Sequence, residues 1–308
     1  MMNPMTKNPH LEHPEDSILN GDLSVLDWFT TKSKLSVKID GSPAIVWGRN
    51  PATGNFFVGT KSVFNKKLIK INESHEDINT NHKGEVAEIL HDCFDFLPRT
   101  DNIYQGDFIG IGGDYVYKPN TITYYFDDIV DSEIIIAPHT EYFAEKDLRD
   151  AISYPLQSRL SDTPECLFVV PDVRLSDHLD DIQDACLFAK QIATLCEFPE
   201  QKIVNRVKKQ LNKCIREGIE LDDITVAAVA SSNDVDINVL RLWKLVESIK
   251  LDMFSFIFPD ESLECEIDGH IVDHEGYVMS NQFGTFKIID RRVFSYHNFN
   301  LSRMRGGR

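Results

Sequence analysis

An α+β fold is what the residue pattern of this chain predicts, on three observations. Short runs of β-branched and aromatic residues, punctuated by Gly, Pro and Asn, dominate to about residue 140. Apolar positions then recur at helical spacing through most of a block from about 141 to 260. Strand patterning returns after Pro259. Strands on both sides of the block imply one domain over 1–308, carrying a mostly helical insertion at about 141–260.

The elements follow in order. Residues 23–29 read as a short helix. Strands at 37–47 and 55–63 read as a hairpin joined by 49–54, with Gly41-Ser42-Pro43 breaking the first strand. A helix is predicted through 85–94, then strands at 103–110, 121–126 and 133–137. The helical block is expected to hold helices at 141–152, 178–198, 200–217 and 236–258, interrupted by a strand at 166–170. The final strands fall at 264–269, 276–279 and 284–289.

Composition bounds the function. The chain has 308 residues, 42% hydrophobic and 26% charged, as expected of a globular protein. No apolar run approaches the 18 or so residues of a membrane span, and no secretory leader is evident at 1–10, so a cytoplasmic protein with no membrane partner is expected (the host cytoplasm, were the chain phage-encoded). Six scattered cysteines without a Cys-x-x-Cys pair read as reduced thiols. His10 and His13 lack a nearby third ligand and read as packing or surface residues. Gly110-Ile111-Gly112-Gly113 lacks the helix and spaced acid of a dinucleotide loop and reads as a turn. The net charge of −17 argues against nucleic-acid binding over the whole surface. Local basic segments remain: Lys202, Arg206, Lys208, Lys209, Lys213 and Arg216 on a predicted helix, and Arg291, Arg292, Arg303, Arg305 and Arg308 near the C-terminus.

The chemistry-bearing pattern begins at Lys38-Ile39-Asp40-Gly41. A lysine on a strand has its ammonium aimed to one face. Where the pocket there is desolvated or cationic, its pKa falls from about 10.4 and the free amine becomes a nucleophile. Other polar groups lie on or beside strands: Lys61 after 56–60, on the strand expected to pair with that of Lys38; Asp107 inside an apolar strand; Glu275 before Gly276-Tyr277-Val278; and Lys287 in another apolar strand. The order is nucleophilic lysine, cation, carboxylate, carboxylate, cation.

In that order the chain resembles the covalent nucleotidyltransferases, the ATP-dependent DNA and RNA ligases and mRNA capping enzymes. It is most similar to the phage double-strand RNA ligase branch. Lys38-Ile39-Asp40-Gly41 resembles the nucleotidyl-lysine motif, and Gly59-Thr60-Lys61-Ser62 the basic strand motif, with lysine for the usual arginine. Gly106-Asp107 resembles the Gly-Glu motif, with aspartate for glutamate. His274-Glu275-Gly276-Tyr277-Val278 and Phe286-Lys287-Ile288 resemble the last two. The resemblance covers about 36–140 and 262–290. It departs at Pro43, at Thr285 where a second lysine is common, and in having no room for an OB-fold after Lys287.

The resemblance implies a ligase-type, ATP-grasp-like fold, with antiparallel sheets around a nucleotide cleft. It implies ATP as cofactor, with GTP the other option, and Mg²⁺ or Mn²⁺. Lys38 would carry the nucleotide as a lysyl-AMP phosphoramidate, with Asp40 orienting its strand. Val37, Ile39 and Gly41 would flank the nucleotide, Lys61 the ribose or triphosphate, and Lys287 the α-phosphate. Glu275 and Asp107 would serve the metal, and a side chain from 122–136 would cover the base. The acceptor would be a 5′-phosphorylated nucleic-acid end, RNA before DNA, held by Lys202, Arg206, Lys209, Lys213, Arg291 and Arg292. The alternatives are transfer to a cap or another non-nucleic-acid acceptor, and a non-catalytic nucleotide-binding protein.

Overall fold

Strands pair into four sheets among the residues that the computed structural model describes, 11–156, 160–259, 263–267, 269–272 and 275–293. His10, His274 and the arginines at 303, 305 and 308 lie outside the described residues. Two five-residue helices come first, α1 (Pro14–Ile18) and α2 (Ser24–Trp28). Strands β1 (Lys34–Lys38), β2 (Ala44–Arg49) and β3 (Phe56–Gly59) follow, then α3 (His75–Asn81) and α4 (Glu85–Phe96). Next are β4 (Ile103–Ile111), β5 (Val116–Tyr117), β6 (Ile122–Tyr125), β7 (Ile134–Phe143), β8 (Ile152–Pro155), β9 (Cys166–Phe168) and β10 (Val173–Leu175). Helices α5 (Asp180–Ala193), α6 (Gln201–Arg216), α7 (Asp223–Asn233) and α8 (Ile237–Asp252) form the helical block. The chain returns to strands β11 (Ile257–Pro259), β12 (Glu264–Ile267), β13 (His270–Val272), β14 (Gly276–Asn281) and β15 (Gly284–Ile288). The architecture is α+β with predominantly antiparallel sheets.

The largest sheet has the order β3-β2-β4-β7-β8, with β9 parallel to the first half of β7. A second sheet, β1-β14-β15, is antiparallel throughout. The remaining sheets are β13-β12-β6-β5 and β10-β11. Trp47, Tyr104, Phe168 and the buried side of α4 fill one core under the largest sheet. The second sheet, β6, β12 and the helical block share another, in which Trp28, Trp243, Leu240 and Val207 are fully or almost fully buried.

Two expectations are corrected here. The expected 37–47 strand is two strands in two sheets. β2 pairs with β3 as the hairpin predicts, but β1 pairs with β14, so Lys61 is not on a strand beside that of Lys38. The crossing lies at 39–43, where Ser42 N donates to Phe108 O at 2.9 Å and a Cβ on Gly41 would stand 2.4 Å from that oxygen. A chain passing that close over a neighbouring strand requires glycine. The helix expected at 141–152 is instead the end of β7, a 3₁₀ turn Leu148–Asp150 and β8. Glu141, Ala144 and Glu145 favour helix locally, but pairing of β7 with both β4 and β8 overrides that preference. The helical block is therefore narrower than 141–260, running from α5 to α8. It includes α7, whose Ile224, Thr225 and Val226 are weak helix formers and whose start is capped by Asp222, accepting from Thr225 N at 2.8 Å.

Candidate functional site

A cavity of about 460 Å³ opens between the β1-β14-β15 sheet and the β2-β4-β7 part of the largest sheet. That is within the range of sites for nucleotide-sized ligands. Alternation along β1 turns Lys34, Ser36 and Lys38 to one side of their strand, and all three line the cavity. Val278 and Ser280 on β14, and Thr285 and Lys287 on β15, continue that wall, because Ser36 is in register with Val278 and Val278 with Lys287. Opposite stand Ala44, Gln105, Asp107 and the β7 segment 137–140.

Lys38 closes β1, opposite Gly276. Its ammonium donates to Asp40 Oδ1 at 3.1 Å and to Glu275 Oε2 in a shorter contact. Glu275 is buried behind the lysine and does not itself line the cavity. Burial alone would lower the Lys38 pKa, but the Glu275 carboxylate, and then Asp40, more than offset it and hold the amine above its ordinary value. The depressed pKa expected of a nucleophilic lysine is thus corrected: the resting amine is an ammonium inside a carboxylate clamp. Glu275 is displaced the opposite way to an ordinary salt-bridged acid. Burial raises its pKa and the Lys38 charge only partly reverses this.

Asp40 is itself anchored. Tyr124 OH accepts from Asp40 N at 2.8 Å and donates to Asp40 O at 2.9 Å, and Asn120 Nδ2 donates to Asp40 Oδ2 at 2.9 Å. Lys287, half-buried on β15, has no carboxylate or hydrogen-bond partner for its ammonium among the described residues. Burial first, and then the charge of Lys38, lowers its pKa. A desolvated cation facing a cavity without a counter-ion is an anion site.

Of the residues expected at the site, Val37, Lys38, Ile39, Asp40, Gly41, Lys61, Asp107 and Lys287 line one cavity, and Glu275 contacts Lys38 from behind. Val37 and Ile39 are buried core residues that back the strand. Lys61 stands exposed at the margin, in a 3₁₀ turn capped by Thr60. The residues over the cavity come from 137–140 rather than 122–136: Asp107 pairs in register with Ala137, and His139 Nε2 lies 3.8 Å from Asp107 Oδ1. Gln105 Nε2 donates to His139 Nε2 at 3.3 Å, and Gln105 Oε1 accepts from Tyr142 OH at 2.8 Å. Gln105, His139, Lys34, Asn120 and Tyr124 were not anticipated. Lys34, four residues before Lys38 on the same strand, had a legible signal in the two-residue period; the others meet the site only through pairing.

Arg291 is not a nucleic-acid contact. It is buried, its guanidinium donating to Glu15 Oε1 at 3.1 Å and Asp16 Oδ1 at 3.0 Å. Lys250 Nζ donates to the same Glu15 oxygen at 2.7 Å, and Trp243 Nε1 to Asp16 Oδ1 at 3.1 Å. This buried network fixes α1 against α8, and the adjoining Glu12 O accepts from Lys287 N at 3.1 Å, so it also seats β15. Arg292 is exposed beside Asp290, and Lys202, Arg206, Lys209 and Lys213 are exposed on α6, outside the cavity lining.

Among the described residues no three His, Cys, Asp or Glu side chains converge as a ready metal cage. The carboxylates near the cavity suit a cation that takes one or two protein oxygens and completes its shell from phosphate and water, the habit of Mg²⁺. All six cysteines are free. No described helix is long and apolar enough to cross a membrane. No curated protein and no solved structure matches the chain. One family profile does, over residues 8–228 and 189–303, and on that coverage the chain belongs to DUF6267, a family of unknown function.

Proposed function

We propose that the protein is a nucleotidyltransferase that carries AMP on Lys38 and passes it to a 5′-phosphorylated polynucleotide end, RNA in preference to DNA. The observation that carries this reading is the arrangement at one cavity: Lys38 clamped by Glu275 and Asp40, with Lys287 beside it, its ammonium in no ion pair among the described residues. Lys287 and Lys61 offer charge to a triphosphate, and Asp107 offers an acceptor to a ribose hydroxyl. For attack, the Lys38 ammonium gives a proton to Glu275, whose raised pKa suits it to receive one. The Lys38 nitrogen then bonds to the α-phosphorus while the bond to the pyrophosphate oxygen breaks, its electron pair leaving with pyrophosphate. The remaining ammonium-like proton passes to solvent, leaving a phosphoramidate. Asp107, which lines the cavity, is the carboxylate that would hold Mg²⁺ or Mn²⁺, while Glu275, buried behind Lys38, is kept for the proton; when bound, the ion neutralises triphosphate charge.

A second reading, a nucleotide-binding protein without catalysis, is favoured by the same clamp, because it keeps the resting lysine protonated.

Incubation with α-³²P-ATP or α-³²P-GTP and Mg²⁺, followed by denaturing electrophoresis, separates them. Label on the chain, lost in Lys38→Ala, is expected. No label with either nucleotide, where a control ligase is labelled, would overturn catalysis and leave the second reading. A chase with nicked RNA, nicked DNA or a capped acceptor then identifies the acceptor class.

A further inference from the structure

Helix α6, sequence QKIVNRVKKQLNKCIR, holds six cations and no acid in a protein of net charge −17. One of the six, Lys208, turns inward to Glu12 and to Asp16 at 3.5 Å. The other five, Lys202, Arg206, Lys209, Lys213 and Arg216, are exposed. Their spacing of four, three, four and three residues places them on one face. Val204, Val207, Leu211, Cys214 and Ile215 on the reverse face are buried, so the helix cannot rotate the stripe away. At 1.5 Å per residue the stripe runs about 21 Å. Lys202, Arg206 and Lys209 have no carboxylate partner among the described residues, and Lys213 reaches Glu217 only at 4.0 Å. A solvated helix face in so acidic a protein would mix signs at these spacings; this one does not.

We infer that the α6 stripe is a track for the phosphate backbone of the nucleic-acid acceptor. The inference rests on the proposed function for the class of partner and adds the surface that holds it. Charge complementarity selects a polyanion, and about 21 Å spans roughly six phosphates of one strand at 3.4 Å each. Behind the stripe, Lys208 holds Glu12, and Glu12 O accepts from Lys287 N at 3.1 Å, so α6 is tied to the strand that carries Lys287.

The test uses the full chain and a fluorescent 5′-phosphorylated single-stranded RNA, the matching DNA, and phosphatidylserine vesicles, titrated across a salt series. In R206Q/K209Q/K213Q, with the far-UV circular dichroism of the parent, RNA affinity should fall about 100-fold at 0.1 M salt. The slope of log affinity against log salt should shrink by about 2, each lost phosphate contact contributing about 0.7. Nucleotide labelling of Lys38 should be unchanged. An unaltered slope and affinity, or stripe-dependent binding to vesicles and not to either nucleic acid, overturns the track. Stripe-dependent RNA or DNA binding by a protein that never labels Lys38 supports the track and overturns catalysis, so the two failures are distinct.

Discussion

At the scale of single residues, the site turns on where the Lys38 proton goes. Its ammonium touches two carboxylates, and the folded pKa lies above the ordinary lysine value despite burial. A raised folded pKa means that the clamp stabilises the fold below the unfolded pKa of about 10.4, and that this is lost only as pH rises through the folded value. Through neutral pH the nucleophilic amine is therefore a small fraction. Because the proton moves from Lys38 to Glu275 inside the pair, the labelling rate should stay nearly flat between roughly pH 6 and pH 9, measured by initial rates of nucleotide incorporation. A climb of about tenfold per pH unit would show the proton leaving to solvent and would contradict Glu275 as its acceptor. Glu275→Gln leaves the proton without its acceptor and should slow labelling by 10²-fold or more, a typical contribution of a general base. It also leaves the Lys38 charge half-compensated, at a stability cost of about 3 kcal/mol read from urea unfolding. Lys38, Glu275 and Lys287 were each legible in the sequence as polar residues amid apolar strands. The sign of the Lys38 shift was not, since it depends on which carboxylates surround the amine.

At the scale of elements, glycines decide whether the strands can deliver these groups. Gly276 follows Glu275 at φ +145°, and a Cβ there would lie 2.1 Å from Ile288 O on β15. Gly276→Ala should push β14 from β15, moving Glu275 and Lys287 together. We expect loss of labelling and a fall in stability of more than 2 kcal/mol, by thermal or urea unfolding. Labelling at the parental rate would show that the β14–β15 spacing does not set the site. The hairpin of β2 and β3, helices α5, α6 and α8, and the closing strands were visible as alternation or helical spacing. The 141–152 segment was not, because its helix-favouring residues are held in strands by partners on both sides of β7. Lys61 likewise falls outside the sheet of Lys38, and nothing local says that the chain changes sheets at Gly41.

At the scale of the whole molecule, the N-terminal helix, α8 and the segment after β15 meet in one buried ionic network. His13 sits beside it, 9% exposed, with Nδ1 lacking a hydrogen-bond partner among the described residues. Burial, and then the charges of Arg291 and Lys250, press its pKa far below the usual histidine range. A depressed folded pKa means that the stability is whole above the unfolded value of about 6.5 and is lost as pH falls below it, at up to about 1.4 kcal/mol per unit. Urea titrations from pH 7.5 to 5 should show that slope, and His13→Asn should reduce it by one proton; equal slopes in both would refute the assignment. The chain's sequence by itself determined the α+β class, most of the helices, the local charge reversal on α6 and the order of polar residues along the strands, because periodicity, caps and turn residues act over a few positions. Tertiary structure alone decided that Lys38, Asp40, Asp107 and Lys287 share one cavity with Glu275 behind Lys38, that Arg291 is a core ion rather than a surface one, and that Tyr124 and Gln105 adjoin the site. Those facts depend on which strands pair across more than 200 residues of chain, as Lys38 does with Gly276, and no local residue preference encodes a pairing partner at that distance.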